Sequence, residues 1–232
     1  STQGYSSAAS DVYKRQTAGC EREGVVPLRM SDGPSGIRVG DDRTVCFPSA
    51  CALACSFDRD GVYRVGEMIG EEAAANGITL LLAPAMNVKR SPLCGRNFEY
   101  YSEDPYLTGE LVSEYVKGAQ KNVGCCLKHF AVNNQETKRM SVNAEVSERA
   151  LRDIYLLPFE IAVQKSGPLA VMSSYNKING IYASENERLL NGVLRREWGF
   201  RGMVVSDWGA VNDACDSVRA GLNLEMPGNP AN

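Results

Sequence analysis

Gly202-Met203-Val204-Val205-Ser206-Asp207-Trp208-Gly209 is a short apolar run that breaks on an acid and an indole. Bounded by glycines and rich in valine, it reads as a buried parallel strand. A carboxylate placed where the backbone leaves a sheet is held rigid from below and can face a cleft. Asp207 is therefore a candidate nucleophile, and Trp208 a candidate platform for the flat face of a ligand. Read alone, the stretch better suits Asp207 as the N-cap of a helix starting near Ala210, an ordinary feature of a βα turn; the rest of the chain reverses that preference.

Upstream, apolar runs and helical periodicities alternate. An apolar stretch over 25–30 leads into the turn Ser31-Asp32-Gly33-Pro34-Ser35-Gly36. Residues 58–76 place Val62, Val65, Ile69 and Ala73 at helical spacing, with Gly77 as the stop. A strand is predicted over 78–83, then a long polar loop over 87–102. Asp104-Pro105 opens a second helix, Asp as cap and Pro at the first position, with Leu107, Leu111, Tyr115 and Val116 inward. Strands follow over 124–130, 169–173 and 203–206, helices over 147–166, 187–198 and 211–220, and one more strand start over 222–226. About six strand–helix repeats imply parallel strands with right-handed crossovers. No G-x-G-x-x-G or P-loop follows a strand, so a nucleotide-binding doubly wound sheet lacks its glycines. The fold predicted is α/β, a (β/α)8 TIM-type barrel that is incomplete in this chain.

Composition narrows the function. The 232 residues are 44% hydrophobic and 23% charged, with a formal net charge of −3. That balance carries no basic footprint for nucleic acid or an anionic membrane. No apolar run approaches the roughly 18 residues of a membrane span, and no signal peptide is visible. Eight cysteines include no C-x-x-C pair, and the single histidine, His129, offers no Cys/His zinc pattern. Thiols in apolar contexts point to a reducing compartment, a bacterial cytoplasm rather than secretion. Residues 1–16 are polar and aperiodic, and Asp11-Val12-Tyr13-Lys14-Arg15-Gln16 reads like translated adaptor sequence. They are set aside as a disordered or artefactual leader, leaving 17–232 as a partial barrel domain.

Polar residues gather where the strands end: Asp32, Arg96 in the long loop, Lys128-His129, Tyr175 and Asp207-Trp208. In a barrel these ends converge on one face. An acid, several cations, a tyrosine and a tryptophan around one mouth suit a neutral polyhydroxylated ligand. Each member also has an ordinary explanation. Asp32 could organise its turn. Arg96 could pair with Glu99, Glu103 or Asp104 in its own loop. Met172 could be core, Arg139 a solvated charge, and a lone histidine a packing residue. Lys128, directly after an apolar strand, must find an anion or water.

Taken together, these residues carry a resemblance. Met30-Ser31-Asp32-Gly33-Pro34-Ser35-Gly36-Ile37-Arg38, Gly95-Arg96-Asn97-Phe98-Glu99-Tyr100-Tyr101-Ser102-Glu103-Asp104-Pro105, Lys128-His129-Phe130, Asn134-Gln135-Glu136, Ser173-Ser174-Tyr175-Asn176 and Val205-Ser206-Asp207-Trp208-Gly209 are similar, in order, to the N-terminal catalytic barrel of glycoside hydrolase family 3, in its β-glucosidase branch. The resemblance spans about 24–228. It implies that Asp207 is the catalytic nucleophile of a retaining double displacement. It implies that Asp32, Arg96, Lys128, His129 and Arg139 hold the hydroxyls of the sugar being cleaved. Tyr175 would lie beside the nucleophile, Met172 would line the pocket, and Trp208 would wall the aglycone side. A retaining reaction needs a second carboxyl roughly 5–5.5 Å away. In this branch that acid/base glutamate lies on a following α/β-sandwich domain, absent from this chain, so the chain alone is expected to hydrolyse little. A related branch uses a histidine after Lys-His-Phe, and 131–136 contain none.

The implied substrate is a small β-glucoside or oligosaccharide, with xylose or arabinose as alternative sugars. No cofactor or metal is required, no nucleic acid or membrane is expected as a partner, and the parent protein is compatible with homo-oligomers. Two other readings stay open. One is a Schiff-base lyase on Lys128, which its acidic neighbours disfavour. The other is a non-catalytic sugar-binding barrel.

Overall fold

The computed structural model describes residues 10–11, 16–17, 19, 21–39 and 44–228. Five strands pair in parallel and in chain order: β1 (Met30–Asp32), β2 (Leu80–Leu82), β3 (Gly124–Phe130), β4 (Ala170–Ser173) and β5 (Met203–Ser206). A sheet wound in one direction, each strand beside its predecessor, is the construction of a (β/α) barrel; a doubly wound sheet reverses its order. Beyond β5, Leu224 makes a parallel bridge to Val205 where a sixth strand would lie. Among the described residues the sheet does not close on itself, so the barrel is incomplete.

Side chains alternate across the pleat. Met30, Leu80, Leu82, Cys126, Ala170, Met172 and Val205 form one buried cluster on the concave side. Leu81, Cys125, Leu127, Val171 and Val204 belong to the larger cluster between sheet and helices. The concave cluster is therefore the floor on which the next inward-facing positions stand.

The helices cover the other face: α1 (Ala50–Cys55), α2 (Arg59–Ala75), α3 (Pro105–Ala119), α4 (Leu157–Ser166), α5 (Arg188–Glu197, in π-type turns) and α6 (Ala214–Ala220). Asp58 caps α2 by accepting from Gly61 N (2.9 Å). Asp104 caps α3 by accepting from Tyr106 N (2.8 Å) and Leu107 N (3.0 Å), with Pro105 in its first turn. The helix predicted over 147–166 begins as one turn, Glu148–Ala150, and widens into π-type turns over Leu151–Leu156 before α4. Pro158 explains the widening: it has no N–H for the carbonyl four residues back, and its ring crowds that turn.

Helices α2 and α3 touch backbone to backbone. A Cβ on Gly66 would stand 2.2 Å from the Tyr115 carbonyl oxygen, and one on Gly118 2.1 Å from that of Tyr63. Backbone cannot yield as a flexible side chain can. Gly66→Ala is therefore expected to cost about 1–3 kcal/mol, read as a fall in Tm of about 2–4 °C per kcal/mol; an unchanged Tm would mean the helices slide apart freely.

Several expectations need correction. The first strand, β1, overlaps the start of the turn expected from Ser31, while Val25 and Val26 of the apolar stretch are 51% and 71% exposed. The helix expected from Val211 starts at Ala214, because Asp213 supplies the cap by accepting from Asp216 N (2.8 Å). Over 222–226 only the Leu224 bridge forms. Within the leader, Ser10–Asp11 pairs antiparallel with Gln16–Thr17 where disorder is predicted from sequence; the rest of 1–15 lies outside the described residues. Among the described residues, no helix is long and apolar enough to cross a membrane. The described cysteines, Cys46, Cys51, Cys55, Cys94, Cys125, Cys126 and Cys215, are unpaired.

Candidate active site

The pleat delivers most of the site. Inward parity runs Met30→Asp32 on β1, Cys126→Lys128 on β3, Ala170→Met172 on β4 and Met203→Val205→Asp207 through β5. Lys128 pairs in register with Met172, and Met172 with Val205, so their side chains share a level. Asp32, Arg96, Lys128, His129, Arg139, Met172, Tyr175, Asp207 and Trp208 all line one cavity of about 250 Å³, completed by Leu82 and Met226. A larger adjoining recess, of about 560 Å³, shares Asp32, Arg96, Lys128 and Arg139.

His129 breaks the alternation, since it follows Lys128 directly yet lines the same cavity. The register from β3 to β4 shifts between Lys128 and Phe130, giving β3 an extra residue at His129. Such a bulge re-aims a side chain and leaves its backbone unpaired. Asn87 repairs the loss: its Oδ1 accepts from His129 N (2.8 Å) and its Nδ2 donates to His129 O (2.9 Å).

Asp207 does not cap a helix. Its N–H donates to Ser173 O (3.1 Å), and its Oδ1 accepts from Trp208 N (2.7 Å). Its Oδ2 is buried without a well-formed hydrogen bond. Around it lie His129 Nε2 at 3.5 Å and Arg96 Nη1 at 4.0 Å. Burial pushes the Asp207 carboxyl above its ordinary range, against the pull of the Trp208 amide, Arg96, Lys128 and Tyr175. The Tyr175 hydroxyl donates to Trp208 O (3.1 Å), and burial beside Asp207 raises its pKa.

The cations are tied to anions rather than solvated. Lys128, 4% exposed, has Nζ 3.8 Å from Asp32 Oδ1 and 3.9 Å from Glu99 Oε2. Arg96 Nε bonds Glu99 Oε1, and its Nη2 lies 2.7 Å from His129 Nε2. Because a guanidinium only donates, Nε2 must accept, which leaves the proton on Nδ1 near Tyr100 Oη (3.3 Å) and Asn87 Oδ1 (3.4 Å). Burial, then Arg96, Lys128 and Arg139, depress the His129 pKa well below the ordinary value, so the ring is neutral at pH 7. Arg139 is not a free loop charge: Nη1 bonds Glu136 Oε2 (2.9 Å), and the guanidinium lies 4.6 Å from the Tyr175 ring centroid.

A buried carboxylate oxygen without a well-formed hydrogen bond, beside the Tyr175 hydroxyl and facing a small cavity ringed by hydrogen-bonding groups, can attack an electrophilic carbon held there. Lys128 sits between two carboxylates as an ion-pair partner, an arrangement unlike the desolvated, isolated amine of a Schiff-base lyase. Among the described residues no cluster of three or more His, Cys, Asp or Glu is placed to hold a metal ion.

The family model for the glycosyl hydrolase family 3 N-terminal domain matches residues 6–227. The chain belongs to glycosyl hydrolase family 3. Its match begins inside the leader that the sequence sets apart. "Thermostable beta-glucosidase B" of Acetivibrio thermocellus is 54% identical over 219 residues, covering 89% of this chain and 29% of that protein. An "Exo-alpha-(1->6)-L-arabinopyranosidase" of Bifidobacterium longum is 47% identical over 222 residues, covering 90% of this chain and 29% of that protein. The solved structure of β-glucosidase 3B from Thermotoga neapolitana in complex with glucose superposes with a TM-score of 0.90 at 52% identity, over 93% of this chain and 31% of that one. The chain thus spans under a third of the length of these relatives.

Three groups of this family 3 site escape a reading of the sequence as single residues. Asn87 is signalled only by a bulge that no residue type marks. Tyr100 reaches His129 from a loop without periodicity. Glu99 stands three residues after Arg96 on the single turn Asn97–Glu99 and is visible beforehand only as a possible loop ion pair.

Proposed function

We propose that this chain is the nucleophile-bearing barrel of a retaining β-glucosidase. The observation that carries the reading is Asp207 Oδ2, buried without a well-formed hydrogen bond at the mouth of β5 and facing a cavity near the size of one hexose. In the proposed reaction Asp207 forms a bond to the anomeric carbon as the glycosidic C–O bond breaks. A protonated carboxyl gives its proton to the departing oxygen. Water, deprotonated by the same carboxyl, then displaces Asp207 and returns the sugar with its configuration retained. Asp32 and Glu99 are engaged with Lys128 and Arg96; the family resemblance assigns the acid/base carboxyl to a part of the protein outside these residues. Asp32, Arg96, Lys128, His129 and Arg139 would hold the sugar hydroxyls, Met172 and Tyr175 would line the pocket, and Trp208 would face the aglycone.

The test uses the full product of the gene and a 2-deoxy-2-fluoro-glucosyl fluoride. Peptide mass spectrometry is expected to find the label on Asp207. Hydrolysis of an aryl glucoside that leaves no label and survives Asp207→Ala would remove the assignment. A second sugar reading has a specific support in the arabinopyranosidase relative. Comparing kcat/KM on aryl β-glucoside and aryl α-L-arabinopyranoside decides between them.

A further inference from the structure

Glu99 is a buried carboxylate, 4% exposed, in contact with two of the cavity's cations. One carboxylate oxygen bonds Arg96 Nε, and the other lies 3.9 Å from Lys128 Nζ. The same guanidinium has Asp207 Oδ2 at 4.0 Å, and its Nη2 is engaged by His129 Nε2 at 2.7 Å. Two anions, Glu99 and Asp207, therefore compete for one cation. Coulomb attraction falls with distance, and a charge-assisted hydrogen bond adds to the nearer pair. Glu99 wins, and Arg96 stays short of a hydrogen bond to Asp207.

That matters because a nucleophile locked in a bidentate pair with arginine is a poor one: its lone pairs are donated to N–H groups and the pair must break before attack. We propose that Glu99 is a positioning residue that holds Arg96 back from Asp207, leaving Oδ2 open to attack. The inference rests on the reading of Asp207 as the nucleophile. Asp207 shares its cavity with His129 and Lys128 from β3, Arg96 from the loop after β2, Asp32 from β1, Tyr175 after β4 and Arg139 from the loop after β3, and it is bonded by the Trp208 amide; Glu99 reaches it only through Arg96. Of these, Glu99 is the carboxylate in direct hydrogen-bond contact with Arg96.

Glu99→Gln in the full gene product tests it, with inactivation by 2-deoxy-2-fluoro-β-glucosyl fluoride as the readout. Fluoride leaves as an anion when the Asp207–C1 bond forms, without a proton from an acid, so the acidic limb of the rate against pH reports Asp207. The expected result is a limb moved to lower pH, because Arg96 now pairs with Asp207, and a limiting rate lower by about tenfold or more. In an Arg96→Gln background the Glu99 change should add less than about twofold, since the two act as one unit. Should Glu99→Gln fail to fold, Glu99→Asp keeps the charge but shortens its reach; a lower limiting rate with the limb displaced in the same direction is then expected. A limb and limiting rate equal to wild type in a folded variant, or equal effects with and without Arg96, would overturn the proposal. A purely structural Glu99 would lower Tm and leave the limb in place. Failure of the wild type to label at Asp207 sinks the functional reading itself, and the role of Glu99 with it.

Discussion

Asp207→Ala in the full gene product is expected to lower kcat on an aryl β-glucoside by on the order of 10⁴-fold or more, with azide restoring turnover. The lost side chain leaves room beside the anomeric carbon, and a small anion entering there attacks from the face Asp207 used. The product should be an α-glucosyl azide, whose configuration records that one displacement replaced two. A variant that stays active without azide, or yields only the β-azide, would contradict the assignment. The isosteric Asp207→Asn should be equally slow and also more stable than wild type at neutral pH. The reason is the raised pKa of the buried carboxyl. The unfolded chain gives up this proton more readily than the folded one, so wild-type stability is fullest below the ordinary carboxylate range. It is lost as pH rises through the raised folded value. Asn removes that loss, so its advantage should shrink as pH falls through the same range. At about 2–4 °C of Tm per kcal/mol for a chain of this size, thermal scans at several pH values resolve it.

Lys128→Met is expected to be the more damaging change to the fold. Lys128 Nζ stands between Asp32 and Glu99, and the Glu99 side chain is 5% exposed. Removing Lys128 takes one of two cations from buried Glu99, which keeps Arg96, and a cation from Asp32, at a cost approaching the about 3–5 kcal/mol of a broken buried pair. Glucose binding should weaken as well, because two carboxylates lose the cation that arranges them. The double variant Lys128→Met with Glu99→Gln should recover part of the lost Tm, since neutralising both sides removes the stranded charge. Recovery of binding is not expected. A Lys128→Met protein as stable as wild type would show that Arg96 and water, rather than Lys128, satisfy these carboxylates.

Much of this arrangement can be read from residue order. β3 forms over the residues the apolar run marks, and the α3 start follows from Asp104-Pro105. Asp32, Lys128, Met172 and Asp207 each stand on an inward position just above an apolar residue of the same parity, a pattern visible in the letters once the strands are placed. The misses share a cause in the third dimension. Val25 and Val26 belong to an apolar stretch yet stay exposed, because apolarity is local while exposure depends on what packs above them. His129 enters the cavity through a bulge, which is a fact of pairing between β3 and β4. Arg139 is stationed by the Tyr175 ring, thirty-six positions away in sequence. Glu99, in a loop, gains its importance from its contacts with Arg96 and with Lys128 on β3.

The pleat that aims Asp207 also decides where this protein can change. Adding or removing one residue within β5 would exchange Val205 for Val204 on the concave side and turn Asp207 toward the helices. The strands therefore tolerate substitution but not a shift of phase. The loops that carry Arg96 and Arg139 obey no such parity: each can lengthen or shorten while the floor beneath stays fixed. New sugar preferences in this lineage should arise there, by length changes between β2 and α3 or after β3, with the carboxylate at the end of β5 unmoved.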